Sequence, residues 1–356
     1  VKLVKLIREA GKKIEKEKLK EGLSKKDAFK YAEAVAIYLA VGLIRYASYS
    51  NLTTPWKNYT GFGSSTALLR AVNIMLFRGI SMTWNWTDYN ISYDEIGLER
   101  DNTSILHGLT YLNSIISHNS SEIEVLLDDA TILSRLRSKH ANFDIIVTDP
   151  PYYDDVPYTE LSDFYYVWLK RVLSDVNGNR LIPRFILEAF FDKINDNWIE
   201  VSTQWEKYAL NEVSLNPPRL GPNAKREDGI RHFQNLLNAS FITMTSRLKD
   251  DGLLVTYYAH TDPDAWKALL EAGWAAAGLR ISNAFPLTTE SAQSVVKRGK
   301  LSMDTSIIVV WRKGCQGSIE ASQLYEEMVN AATGRARELM DMGAVGRDLV
   351  IGTLAA

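Results

Sequence analysis

Four consecutive residues, Asp149-Pro150-Pro151-Tyr152, place an acid, a rigid turn and an aromatic ring side by side. The exocyclic amine of a nucleobase is a poor nucleophile, because its lone pair is delocalised into the ring. A carboxylate on Asp149 and the carbonyl of Pro150 can accept its two N–H bonds and localise that lone pair on nitrogen. The Pro-Pro pair fixes the carbonyl, and the Tyr152 ring can stack on a base flipped out of its duplex.

The residues before this turn predict how it is positioned. Residues 143–148 are mostly apolar and rich in β-branched side chains, which predicts a buried strand. Two prolines cannot continue a strand ladder, so the strand must end there. In an open α/β sheet, ligands bind just beyond the carboxyl ends of the strands. The alternative is a plain strand-end turn whose Asp149 caps a nearby backbone group.

The turn resembles motif IV of the amino-DNA methyltransferases. A longer stretch, residues 149–158 followed by 161–171, is similar to one family in particular. That family is the large adenine-specific DNA methylases that carry a zinc ribbon and an N-terminal domain of unknown function. The resemblance implies catalytic roles for Asp149, Pro150, Pro151 and Tyr152, with Tyr153 as a further substrate contact.

The same resemblance implies S-adenosylmethionine as the cofactor, DNA as the partner and adenine N6 as the methylated atom. Cytosine-N4 and RNA methyltransferases share the turn, so the residues alone do not separate these targets. A non-catalytic nucleic-acid-binding or partner subunit, dependent on a second segment for its cofactor, is a further alternative. The biological role, host modification or phage defence, is equally open.

A second acidic pair follows a short predicted strand at residues 122–127. The resemblance implies that an acid within Asp128-Asp129-Ala130 binds the adenine amino group of the cofactor. The alternative is an aspartate that caps a helix predicted at 131–139. Both roles can hold at once, with one aspartate for each.

Residues 172–226 are predicted to be the longest irregular part of the chain, and a loop of this length is usually either functional or disordered. In the resembled class such an insertion is the target-recognition or DNA-clamping region. Its basic residues can meet phosphates or serve as ordinary surface charge; they are Arg184, Arg219, Lys225 and Arg226. His260, at the end of a strand predicted at 253–259, is either a structural histidine or a substrate contact.

The elements predict an α/β protein with a Rossmann-like class I S-adenosylmethionine-dependent methyltransferase fold that is incomplete. We expect a helical N-terminal region at 1–118, a methyltransferase core at 119–315 with the insertion 172–226, and a C-terminal helical segment at 316–356. Candidates exist for strands three to seven, but none for strands one and two, which would carry the Gly-rich cofactor loop. We therefore expect that loop in a preceding part of a longer polypeptide or in another subunit.

The remaining elements follow from apolar periodicity and turn residues. Residues 51–65 are predicted as a loop. Helices are predicted at 1–22, 24–48, 66–78, 101–117, 154–171, 227–249, 264–272 and 323–342, and further strands at 274–284 and 305–310.

Composition narrows the compartment and the classes of site. The 356 residues carry a net charge of −2, but the first thirty hold 11 basic residues against 5 acidic ones. Cys315 is the single cysteine, which excludes a disulfide within the chain and a cysteine-based zinc site. The apolar run 34–44 is too short to span a bilayer. We therefore predict a soluble, cytoplasmic protein with no metal site and no membrane partner.

Overall fold

A computed structural model describes most of the chain in mixed α/β form. The described residues are 2–48, 50–51, 56–59, 68–71, 105–115, 123–136, 142–154, 156–260, 262–288, 305–314 and 321–343, with 349 and 353. They form two compact units, one from residues 1–122 and 158–209 and the other from 123–157 and 210–356. Contacts thus group residues 158–209 with the N-terminal helices, whereas the sequence placed them in the core region.

The described elements are helices mixed with strands of three to eleven residues. They are α1 (Lys2–Lys20), α2 (Lys25–Ala47), β1 (Trp56–Tyr59), β2 (Leu68–Ala71), α3 (Ile105–Ile115), β3 (Phe143–Thr148), α4 (Tyr158–Leu173), β4 (Asp175–Asn177), β5 (Arg180–Ile182), α5 (Leu187–Phe190), β6 (Phe191–Ile194), β7 (Asn197–Glu200), α6 (Trp205–Tyr208), α7 (Arg226–Arg247), β8 (Leu248–Tyr258), α8 (Pro263–Leu270), β9 (Leu279–Thr288), β10 (Thr305–Lys313) and α9 (Ala321–Asp341). None of the described helices is long and apolar enough to cross a membrane.

The first unit is built on α1, α2 and α4. Ser24 caps α2 as its spacing predicts: its hydroxyl oxygen accepts the Asp27 amide at 3.1 Å. Small residues recur on one face of α2 and are buried in the core of this unit; they are Ala32, Ala36 and Ala40. Valine, leucine and phenylalanine side chains from α4 and the segment after it complete this core.

The predicted irregular insertion contains two regular hairpins, so that prediction was wrong for much of 172–200. β4 pairs with β5 around Gly178, whose φ of +59° suits the first central position of a tight hairpin turn. β6 pairs with β7 around Asn195 and Asp196, which both have positive φ, as a type I′ turn requires. In the sequence, the run Asn177-Gly178-Asn179 is the signal for the first of these hairpins, β4–β5.

The N-terminal region also contains a strand pair that periodicity did not predict. β1 and β2 pair antiparallel, with Trp56 opposite Ala71. This pairing contradicts the loop predicted at 51–65 and the helix predicted at 66–78 over the described residues. Helical spacing in Leu68–Ala71 is therefore overridden by pairing with β1.

The second unit contains a mixed four-stranded sheet in the order β3-β8-β10-β9. β3 and β8 run parallel, while β10 is antiparallel to both β8 and β9. The predicted strands at 143–148, 253–259 and 305–310 are confirmed. The strand predicted at 274–284 begins later, at Leu279, because residues Glu271–Ala276 extend α8 as a π-helical turn.

The buried aromatic side chains of the second unit lie between this sheet and α7. Phe233 and Phe241 face inward from α7, as its apolar spacing predicts. The Trp311 ring lies at the centre, and its indole N–H donates to the Thr256 hydroxyl at 3.2 Å. Gly273 permits this packing, since a Cβ at that position would lie 2.5 Å from the Trp311 ring.

β3 is not the buried strand that its composition predicts. Ile145 and Val147 are 58% and 60% exposed. The reason is its place: β3 is an edge strand of the described sheet and is paired only with β8. The strand predicted at 122–127 is also absent from the described residues 123–127, where Val125 and Leu127 are exposed. An apolar segment needs a neighbouring strand to form a ladder, and no described strand pairs with it.

Candidate functional site

The Asp149–Tyr152 turn leaves the sheet directly after β3, where Thr148 lies in register with Thr256 of β8. The Asp149 side chain is exposed to solvent. One of its oxygens, Oδ1, accepts the Tyr152 hydroxyl at 2.7 Å. The Tyr152 ring meets the buried Tyr258 ring edge-on, with centroids 5.7 Å apart. Tyr152 therefore fixes the rotamer of the carboxylate while its own ring is braced by β8.

Two hydrogen-bond acceptors remain available on this turn. Among the described residues, no donor reaches Oδ2 of Asp149 or the carbonyl oxygen of Pro150. The next carbonyl, that of Pro151, accepts the Tyr153 amide at 3.0 Å. Adjacent residues thus present a carboxylate oxygen and a carbonyl oxygen, the pair that the sequence predicts for holding an amine.

Tyr153 anchors the turn in the core. Its backbone has a φ of +57°, an uncommon conformation for a residue with a side chain, and its carbonyl accepts the Leu215 amide at 2.9 Å. The ring is 1% exposed and packs edge-on against Phe233 and His260. Burial raises the pKa of the Tyr153 hydroxyl. The predicted substrate contact is therefore corrected: in this conformation the ring is inaccessible, and Tyr153 is an anchor.

His260 joins the ends of β3 and β8. Its Nδ1 lies 3.0 Å from the Asp262 amide, which can only donate, so we assign the neutral tautomer with hydrogen on Nε2. That Nε2 faces Oδ1 of Asp154 at 3.3 Å. The Trp266 indole donates to the His260 carbonyl at 2.9 Å and fixes the backbone. His260 thus has the structural role that was one of its two predicted alternatives.

Arg226 and Lys225 lie at the start of α7, close to the same strand ends. The Arg226 guanidinium lies 3.9 Å from Asp154 and 3.8 Å from Asp262, so two carboxylates offset its charge. The Lys225 amide donates to the Asp228 carboxylate at 3.0 Å, which begins the helix. Both residues keep exposed side chains, and their predicted contact with phosphate stays a prediction.

The other two predicted phosphate contacts are engaged within the protein. Arg219 is 4% exposed and bonds to Glu212 at 3.0 Å. Arg184 forms an ion pair with Glu15 and lies over the Phe29 and Phe185 rings in the first unit. Arg219 is a buried charge that requires its partner, and Arg184 is partly buried over two aromatic rings, so these contacts assign both arginines a structural role. A contact with phosphate would require either pair to break.

The two predicted cofactor acids have different surroundings. Both carboxylate oxygens of Asp128 accept hydrogen bonds: Oδ2 from the Arg135 amide at 2.6 Å, and Oδ1 from Asp129 and Ser134. In Asp129, Oδ1 accepts the amide and the hydroxyl of Thr131, while no described donor reaches Oδ2. Both aspartates therefore cap backbone amides, and over the described residues 131–136 they hold a series of turns where a helix was predicted at 131–139. Asp129 keeps an available oxygen, and Ala130 lies exposed in the turn between them and Thr131.

The Asp128 turns are expected to weaken in acid. Hydrogen bonds, first from the Arg135 amide, lower the pKa of the Asp128 carboxyl. Its stabilisation is complete above the ordinary carboxyl pKa of about 3.9 and is lost as the pH falls through the lower folded value. Protection of the Arg135 amide against hydrogen exchange, measured by NMR relative to the intrinsic exchange rate at each pH, should fall in acid. Asp128→Asn should show lower protection already at neutral pH, and unchanged protection in that variant would contradict the assignment.

Several residues near the turn were not predicted as part of the site, because they are far apart in the sequence and meet only in the fold. Asp154 and Asp262 contact His260 and Arg226, although Asp154 and His260 lie 106 positions apart. The available signal was local: Asp262 precedes Pro263 and caps α8. Among the described residues, no cluster of histidine, cysteine and acidic side chains could hold a metal ion. Comparison with known proteins finds no matching family model, no matching curated protein and no matching solved structure.

Proposed function

We propose that this protein is an S-adenosylmethionine-dependent DNA amino-methyltransferase that acts on adenine N6. The observation that carries the proposal is the pair of available acceptors, Asp149 Oδ2 and the Pro150 carbonyl oxygen, at the carboxyl end of β3. Few other reactions need a carboxylate and a rigid carbonyl on adjacent residues beside an aromatic ring. The resemblance to the amino-DNA methyltransferases selects DNA and adenine among the amines that such a pair can hold.

The sheet order supports the same proposal. In the Rossmann-like class I methyltransferase fold the strands lie in the order 3-2-1-4-5-7-6, ending in a hairpin-like pair. In that arrangement the order β3-β8-β10-β9 would be strands four, five, seven and six. The Asp149 turn would then follow strand four, at the edge where ligands bind in such sheets.

The proposed reaction uses the turn to prepare the amine. The Asp149 carboxylate and the Pro150 carbonyl accept the two N–H bonds, which draws the nitrogen lone pair out of the base. Bound S-adenosylmethionine would supply the electrophilic methyl group, and the electron pair of the broken C–S bond would remain on sulfur. The methylated nitrogen then carries an extra proton. Asp149 lies within reach to accept it before it passes to water. Asp129 Oδ2 is suited to receive the adenine amino group of the cofactor.

We further propose that a separate segment completes the sheet and the cofactor site. β3 is paired on one side only in the described sheet, and Ile145 and Val147 on it are exposed. Residues 123–127 are all exposed, and four of the five are apolar; they are Ile123, Val125, Leu126 and Leu127. Two further strands, inserted between residues 123–127 and β3, would cover the exposed apolar side chains of both segments. Calorimetry should then detect tight binding of S-adenosylmethionine only in the full-length gene product, and tight binding by residues 1–356 alone would contradict a divided site.

The function is tested by following the methyl group. The full-length gene product should transfer tritiated methyl from S-adenosylmethionine to duplex DNA, and hydrolysis should recover the label as N6-methyladenine. Label on cytosine N4 or on RNA would retain the chemistry and change the substrate. DNA binding without any transfer would overturn the catalytic proposal and favour a non-catalytic subunit.

A further inference from the structure

Helix α1 carries a continuous row of lysines on one face, which we call the lysine stripe. At 100° per residue, its members fall within an arc of about 100° around the helix axis. All of them are exposed; they are Lys2, Lys5, Lys12, Lys13, Lys16 and Lys20. A stripe this narrow concentrates positive charge along the whole length of the helix.

The acidic residues near the stripe offset little of this charge. Glu15 forms an ion pair with Arg184, which lies outside the stripe, and the Glu17 carboxylate lies 3.8 Å from the Lys13 ammonium group. Lys12 pairs with Asp175 at 2.8 Å. Among the described residues, four lysines of the stripe form no ion pair; they are Lys2, Lys5, Lys16 and Lys20. Glu9 is the one acid that falls within the arc.

The opposite face of α1 fixes the orientation of the stripe. Val4 and Gly11 are buried, and Leu3, Ile7 and Ile14 pack against the core of the first unit. Gly11 lies so close to Phe185 that an added Cβ would stand 3.1 Å from its ring. Because its apolar face is occupied, α1 cannot insert that face into a lipid surface, as an interfacial helix must. The lysines therefore form a rigid, solvent-facing row.

We propose that the lysine stripe binds the phosphodiester backbone of nucleic acid. From Lys2 to Lys20 the row is about 27 Å long, which matches about eight base pairs at 3.4 Å each. Lysine ammonium groups on flexible stems suit sequence-independent contacts with phosphate. The choice of DNA rests on the proposed function, whereas the binding surface itself rests on the charge pattern of α1.

The test removes charge from the stripe and from a matched set elsewhere. The triple variant Lys5→Gln, Lys16→Gln and Lys20→Gln should bind a labelled duplex at least about tenfold more weakly at low salt, as measured by fluorescence anisotropy. The slope of log affinity against log salt should fall by about 2.7, that is, about 0.9 for each lost contact. The control changes three exposed lysines outside the stripe, Lys193, Lys207 and Lys267, to glutamine.

Glu9→Gln supplies a test of opposite sign. Removing the one acid within the arc should tighten DNA binding about two- to threefold, because the field of the stripe becomes more positive. A structural role for these side chains would not predict opposite effects from the two variants. Circular dichroism melting of each variant checks that α1 still folds.

Three results would overturn the proposal. They are equal losses in the stripe and control variants, an unchanged salt slope, and stripe-dependent binding to phosphatidylserine vesicles without binding to DNA. The test is separate from that of the catalytic proposal. Asp149→Asn should keep stripe-dependent DNA binding. Stripe-dependent binding by a protein that transfers no methyl would contradict only the catalytic proposal. Methyl transfer that does not depend on the stripe would contradict only the binding proposal.

Discussion

Replacing Asp149 by asparagine is expected to lower methyl transfer by at least about 100-fold, with DNA affinity nearly unchanged. The carboxylate has two acceptor oxygens, and one already receives the Tyr152 hydroxyl. An asparagine that keeps this bond through its carbonyl oxygen would turn its NH₂ group toward the substrate amine. Two donors would then face each other, and the lone pair would stay delocalised in the base. Steady-state transfer of tritiated methyl to adenine-rich DNA measures the effect.

The matched control for Asp149 is Asp144→Asn on β3, the strand that precedes the turn. Asp144 is also exposed, but it lies at the other end of β3 and pairs with Lys249 at 2.6 Å. The hydrogen bond and charge of Lys249 lower the pKa of the Asp144 carboxyl, yet an ion pair this exposed contributes little to stability. The control variant should therefore transfer methyl at the rate of the unmodified protein. Equal rates in both variants, whether high or low, would contradict the role assigned to Asp149.

Replacing Trp311 by alanine is expected to cost about 3–5 kcal/mol of unfolding free energy. The Trp311 ring is fully buried, packs edge-on against Phe241 at 5.8 Å and donates to the Thr256 hydroxyl. Its removal leaves a cavity next to Gly273 and an unpaired hydroxyl. The rigid backbone of β10 cannot close that space. Urea unfolding monitored by circular dichroism gives the free-energy difference.

Trp274→Ala is the matched control, because it removes the same side chain from a different environment. Trp274 is 59% exposed on the π-helical turn that contacts the sheet. Its loss should change the unfolding free energy by less than about 1 kcal/mol. If the two tryptophan variants were equally stable, the core described around Trp311 would be incorrect.

The sequence was most informative where local chemistry decides the structure. The two prolines end β3 at the predicted residue, and the apolar spacing of α7 places Phe233 and Phe241 inward. Ser24 caps α2 through an interaction only three residues long. Each of these features depends on neighbours in the chain, so one sequence suffices to predict it.

Features set by distant partners were not predictable in the same way. The composition of β3 favours a buried strand, but its exposure depends on which strands lie beside it. The family resemblance implies Tyr153 as a substrate contact, yet its ring is buried against Phe233, eighty positions away. Arg219 was interpreted as a surface cation, although Glu212 pairs with it in a buried site. Local sequence patterns do not show which residues from distant parts of the chain will come into contact.

The anchor at Tyr153 has a consequence for the motions of the turn. The Tyr153 ring belongs to the core that includes Phe233, and its carbonyl is bonded to the Leu215 amide. The turn therefore cannot swing away from β3 unless a fully buried aromatic ring is withdrawn at the same time. Its opening free energy should approach that of global unfolding, unlike that of an ordinary surface loop. If the proposed function holds, a substrate base would have to be brought to a fixed turn, and the conformational adjustment would fall on the nucleic acid.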